Sequence, residues 1–170
     1  MSLTDCSALW FALRVTTRYE FRVSQQLSLR EIECFLPARR VRRRWSDRIQ
    51  MLEVPLFPGY LFARFDLRSR VRVLNVPGVA QVVGHGNVPV PVSDAEIDAV
   101  KVLVDSGLEL EPHPYLCAGQ AIRIERGPLR GAEGVVLRAE SGSFRIVVSV
   151  NLLQRSVAAE VDRDWISLAS

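Results

Sequence analysis

Residues 39–48 carry the densest chemistry in the chain: Arg39, Arg40, Arg42, Arg43, Arg44, Trp45, Ser46, Asp47 and Arg48. Arginine presents a planar fork of donors that matches phosphate oxygens. An aromatic ring among such arginines can stack on an unpaired base, a contact worth ~1–3 kcal/mol. The segment also reads as a solvated hairpin with Trp45 covering apolar surface beneath it. Arg18 and Arg22 stand one helical turn apart and extend the basic character toward the N-terminus. Catalytic chemistry has no comparable signal. Nucleophilic or acid–base work needs a nucleophile, a base and an orienting group, or a metal. The chain offers two isolated histidines, His85 and His113, and scattered serines. Cys6, Cys34 and Cys117 are odd in number and widely spaced, without a CxxC pair. That excludes a disulfide framework and a zinc site as readings. No GxGxxG or P-loop pattern occurs. The expectation is a binding protein with no enzymatic activity, no cofactor and no metal.

Charge divides the sequence. Residues 14–72 hold fourteen Arg, no Lys and six acids, a balance of +8, whereas residues 109–170 balance at −1. Two modules with different partners account for this, the first facing a polyanion. At 170 residues and 48% apolar, the chain can fill one medium core or two small ones. Its cysteine usage fits a reducing cytoplasm. No basic stretch leads into an apolar run at the start, and no apolar run reaches the ~20 residues that span a membrane. A cytoplasmic protein without membrane contact is expected.

The elements that must position these residues follow from periodicity. Residues 9–15 read as a buried strand, and Thr17-Arg18-Tyr19-Glu20 as a capping box opening a helix over residues 18–31. Cys34-Phe35-Leu36-Pro37 leads a strand into the basic hairpin, from which residues 49–54 return. Phe57-Pro58-Gly59 enters a strand over 60–65. A short helix over 68–74, a Pro77-Gly78 turn and an edge strand over 80–83 come next. Ser93-Asp94-Ala95-Glu96 is a second capping box, with Ile97, Val100, Leu103 and Val104 as an apolar stripe and Gly107 as the stop. Residues 107–114 have the Gly, Pro and acid content of a linker. Five short strands then follow, at 121–125, 134–139, 144–150, 156–161 and 165–168, as in a small barrel. The β-branched residues of 146–150 favour strands there. The fold class is therefore α+β: an N-terminal domain over 1–108 with a mixed sheet and flanking helices, a linker at 109–115, and a five-stranded C-terminal β-barrel over 116–170.

Three segments carry a family resemblance. Trp10-Phe11-Ala12-Leu13-Arg14-Val15, followed by the helix, resembles the opening of NusG proteins. Pro55-Leu56-Phe57-Pro58-Gly59-Tyr60-Leu61-Phe62 is similar to that family's central signature. Gly127-Pro128-Leu129-Arg130-Gly131-Ala132-Glu133-Gly134-Val135-Val136 resembles the KOW strand–turn–strand. Residues 32–37, 42–48 and 152–157 look like the UpxY group of specialised antitermination paralogs.

The resemblance implies a transcription elongation and antitermination factor, acting as a monomer. Trp10, Phe57, Pro58, Gly59 and Tyr60 would form the apolar patch that receives the RNA polymerase clamp helices. For Trp10 and Phe57 a core role competes. Arg18, Arg22, Arg42, Arg43, Arg44, Trp45 and Arg48 would lie near the non-template DNA strand, or against the other jaw of the polymerase cleft. In the KOW domain Leu129, Leu152 and Leu153 would meet a ribosomal protein or Rho. Leu129 and Leu153 replace aromatics common in the family, which disfavours Rho, and local packing competes for both. The alternative function is a ribosome-associated or RNA-binding KOW protein gripping RNA with the basic hairpin.

Overall fold

The computed structural model describes residues 7–113, 115, 121–138 and 144–168. It divides into two compact units, Met1–Leu36 with Pro58–Ser93, and Pro37–Phe57 with Asp94–Ser170.

The first unit is built on β1 (Leu9–Val15), which is buried from Trp10 to Leu13 and at Val15, with Phe11, Leu13 and Val15 on one face, and leaves Arg14 outside. Helix α1 (Glu20–Leu29) lays Val23 and Leu27 over that face. β2 (Glu33–Phe35), β5 (Tyr60–Phe65), β6 (Val79–Val82) and β9 (Pro91–Val92) complete the sheet in the order β2-β5-β1-β6, with β9 also on β1. Leu61, Ala63 and Phe65 of β5 and Val73 of α2 (Arg70–Leu74) close the core, where the Phe11 and Phe65 rings lie 4.9 Å apart. A mixed sheet was expected, yet every pairing is antiparallel. The α1 crossover sets β2 beside β5 instead of beside β1, so the two strands that run the same way are not neighbours. A small ribbon, β7 (Gly84–His85) with β8 (Val88–Pro89), precedes β9.

In the second unit, β3 (Ala38–Arg44) and β4 (Ile49–Pro55) pair only with each other, as a two-stranded ribbon. Helix α3 (Asp94–Asp105) buries Ile97, Ala99, Val100 and Leu103, and Gly107 at φ +72° follows it. The C-terminal part is one antiparallel sheet in the order β10-β14-β13-β12-β11-β15. Its strands are β10 (Leu110–His113), β11 (Ala121–Ile124), β12 (Glu133–Arg138), β13 (Phe144–Val150), β14 (Arg155–Val161) and β15 (Ile166–Leu168). All five expected strands are present. A sixth, β10, occupies most of the segment read as a linker, pairing Leu110 with Ala159 and His113 with Ser156. Pro112 hid it from the sequence; β10 lies at the end of the strand order, where a residue without N–H is tolerated. Among the described residues the path is open, since β10 and β15 are not paired.

Candidate functional site

The two candidate patches of the first half are a loop and a ribbon. The loop joins the end of β4 to the start of β5. Gly59 has φ +83°, which L side chains rarely adopt, so glycine is favoured there. Its carbonyl accepts from Val15 N at 2.8 Å. Its N–H donates to Glu20 Oε1 at 2.9 Å, and Glu20 is 2% exposed. The first residue of α1 therefore fixes the loop.

That bond corrects the first expected capping box. Tyr19 is the N-cap of α1 and makes no side-chain cap bond. Thr16 O accepts from Tyr19 N at 3.0 Å, closing a turn with Arg18 at φ +74°. This turn takes Thr17 out of the capping position, and Glu20 turns to Gly59. Arg18 consequently precedes the helix instead of lying one turn before Arg22 on it. Positive φ costs a non-glycine residue about 1–2 kcal/mol, so the turn holds an arginine against its backbone preference. Gly78 supports the same turn: its carbonyl accepts from Thr16 N, and a Cβ there would meet Val23 Cγ2 at 2.8 Å.

The five residues of the expected apolar patch differ in exposure. Trp10 and Phe57 are 3% and 2% exposed, and Gly59 is buried. Pro58 is exposed and Tyr60 half-buried, so these two present side chains. Arg14 stands opposite Tyr60 across β1 and β5 and is exposed. The sequence reading missed Arg14 as a neighbour of this patch, although a charged residue in an otherwise apolar strand marks an exposed position.

Glu20→Ala would leave Gly59 N–H buried without an acceptor, at a cost of about 1–3 kcal/mol. The expected result is faster amide exchange through residues 57–60, with Glu20→Gln, which keeps an acceptor, close to wild type. Equal exchange in Glu20→Ala and wild type would remove the positioning role.

The ribbon splits the arginines that the sequence grouped. Directly opposite residues share a face, so Arg42 with Met51 and Arg44 with Ile49 lie on one side, and Arg43 with Gln50 on the other. Trp45 at the tip is 54% exposed, with Ile49 at 52% and Met51 at 58%. Arg42, Arg43, Arg44 and Arg48 are all exposed. At the base, Arg39 Nη1 donates to Leu110 O at 3.1 Å, tying the ribbon to the start of β10. Arg22 is exposed near the start of α1, with its guanidinium 5.8 Å from the Tyr19 ring centre.

In the C-terminal sheet, Leu129 is 0% and Leu153 9% exposed, the burial of core residues, and Leu152 is half-buried. The turn holding Leu152 and Leu153 is bound at Asn151: its N–H donates to Glu96 Oε1 at 3.0 Å, and its Oδ1 accepts from Tyr115 Oη at 3.0 Å. Tyr115 is an exposed aromatic beside this turn, which the sequence reading passed over as part of the linker.

Among the described residues, no helix is long and apolar enough to cross a membrane. Among the described residues, no three His, Cys, Asp or Glu side chains gather as a metal site.

The chain is similar to known proteins. The family model described as "Transcription termination factor nusG" matches residues 8–101. The transcription termination/antitermination protein NusG of Yersinia pestis is 27% identical over 166 residues, covering 90% of this chain and 92% of the relative. The protein of the same name from Buchnera aphidicola is 26% identical over the same length and coverage. The solved structure titled "Domain interaction in Thermotoga maritima NusG" covers 96% of this chain and 98% of its own, at a TM-score of 0.56 and 20% identity. The model spans more than half of the chain, including β1, α1, the ribbon and the Gly59 loop, and on that match the chain belongs to the NusG family of transcription termination factors.

Proposed function

We propose that the chain is a transcription elongation and antitermination factor that docks on RNA polymerase. The observation that carries this reading is the Gly59 loop: a buried carboxyl group locks its backbone while Pro58 and Tyr60 remain presented. A pre-formed loop that presents a proline and a tyrosine suits a pair of helices, the helix-in-groove mode, and here the pair is the polymerase clamp helices. Names of the relatives, which pair termination with antitermination, fit the same role. Docking shifts the polymerase toward the state the factor binds better, by its differential affinity for the two. If that state is the closed clamp, pausing falls and elongation becomes more processive.

The ribbon, with Arg42, Arg43, Arg44, Trp45 and Arg48, is assigned to the non-template strand, and Arg18 and Arg22 near α1 are assigned a nucleic-acid contact of their own. The C-terminal sheet acts as a KOW module, with β11–β15 as its five strands and β10 an added edge. It recruits a ribosomal protein or Rho through the turn at Leu152, to which Tyr115 adds an aromatic. One linked chain raises the effective concentration of the recruited factor at the polymerase. The arginine-rich ribbon and the segment 152–157 support reading the chain as a specialised paralog similar to the UpxY group.

Each phosphate contact on single strands contributes about 0.7 to the slope of log affinity against log salt. Replacing Arg42, Arg44 and Arg48 with alanine should therefore flatten the salt dependence of single-stranded DNA binding by about 2. An unchanged slope would take the ribbon off the nucleic acid and give it to protein. Tight, polymerase-independent binding to RNA would instead favour the ribosome-associated reading.

A further inference from the structure

The apex of the basic ribbon carries a hydroxyl group that the proposed function leaves unused. Trp45 N–H donates to Arg48 O at 2.7 Å and closes the ribbon, which leaves Ser46 and Asp47 as the two residues of the turn. Both are exposed. Several other serine hydroxyls are engaged inside the fold: Ser24 with Cys34, Ser28 with the Ser24 carbonyl, Ser106 with the Leu103 carbonyl, and Ser149 with Ser156. Ser46 Oγ has no partner among the described residues. Arg43 and Arg44 stand three and two residues before it, and Arg48 two residues after it. Among the described residues, no carboxylate pairs with these three arginines or with Arg42, whereas Arg40 has Glu53 at 3.8 Å.

A turn accounts for the residue type, since serine and aspartate favour turns, but it does not use the hydroxyl. Kinases distinguish their substrates by the charge pattern around the acceptor. Arginines two and three residues ahead of a serine offer guanidinium forks that an acidic cleft can grip on its carboxylates. Access is favourable too. β3 and β4 pair only with each other, and a lone two-stranded ribbon is marginal in water, so its tip opens into a cleft at little cost. The consequence follows from charge. Residues 38–55 hold six arginines and two acids, a balance of +4. A phosphoryl group carries about −2 at neutral pH and halves that balance. Its oxygens also match the forks of Arg44 and Arg48, which are then closed to a DNA phosphate.

We infer that Ser46 is a phosphoacceptor for a serine kinase that reads upstream arginines, and that the phosphate takes the ribbon off single-stranded nucleic acid. In the transfer, Ser46 Oγ attacks the γ-phosphorus of a nucleoside triphosphate. A P–O bond forms as the bond from the γ-phosphorus to the bridging oxygen breaks. The nucleoside diphosphate leaves with that electron pair, and the hydroxyl proton passes to a base of the kinase. Release of the nucleic acid rests on the reading of the ribbon given above; the modification itself does not.

Two measurements on the full chain test this. The first incubates wild type and Ser46→Ala with γ-labelled ATP and a soluble extract of the cells that make the protein, then maps the labelled peptide. Label is expected on Ser46 of the wild type and is absent from that peptide in Ser46→Ala. No label, or label only at other residues, would overturn the inference. The second follows single-stranded DNA binding over a salt series for wild type and for Ser46→phosphoserine, made by codon suppression. The phosphorylated form should bind about tenfold more weakly, with a slope flatter by about 1.4, the loss of two phosphate contacts. An unchanged affinity and slope, while alanines at Arg42, Arg44 and Arg48 do flatten it, would defeat the release alone. A slope indifferent to those alanines as well would remove the nucleic-acid reading of the ribbon and the release together.

Discussion

Phe57→Ala should lower folding stability by about 3–5 kcal/mol, the usual cost of truncating a buried phenylalanine. Phe57 is 2% exposed and among the largest fully buried side chains of the protein. Removal of its ring leaves a cavity that the surroundings close only in part. Urea denaturation monitored by circular dichroism gives the number. A loss under about 1 kcal/mol would mean that the ring packs against little and is available for a partner, contrary to its burial. The consequence for function is direct. Loss of polymerase binding in this variant would report unfolding as much as a lost contact, so Phe57 is a poor probe of the interface.

Tyr60→Ala should weaken binding to core RNA polymerase by at least about 2 kcal/mol, or about 30-fold. Tyrosine combines large apolar area with a polar tip and is enriched at the few positions that carry most of an interface's energy. Tyr60 is half-buried at the start of β5, beside a loop held by Glu20, so little ordering remains to oppose association. Pro58→Ala should cost less, since proline offers less area and no polar tip. An affinity within twofold of wild type for Tyr60→Ala would move the docking surface elsewhere on the domain.

Long, strongly patterned elements were legible in the sequence. The apolar run of β1, the helical spacing of α1, the stripe of α3 and five C-terminal strands all follow from period and turn residues. What the sequence hid depends on partners distant in the chain. Thr17-x-x-Glu20 is a sound local capping signal, but the carboxyl finds Gly59 N–H, 39 residues away, and local spacing cannot report that competition. β10 contains a proline and a glutamate and reads as a linker until β14 supplies its ladder. The cluster of arginines in 39–48 was plain. Its division into an Arg42–Arg44 face beside Ile49 and Met51, and an Arg43 face beside Gln50, came only with the register of the ribbon. Leu129 and Leu153 illustrate the same limit: sequence left a partner role and a packing role open, and burial is a property of the folded sheet.

The most direct test of the central claim is the affinity of purified full-length protein for core RNA polymerase, wild type against Tyr60→Ala, with thermal melts run beside it. The account predicts saturable binding by wild type, at least about 30-fold weaker binding by the variant, and cooperative melting in both. No binding by the wild type would contradict it, and would give first place to an RNA-binding role for the basic ribbon.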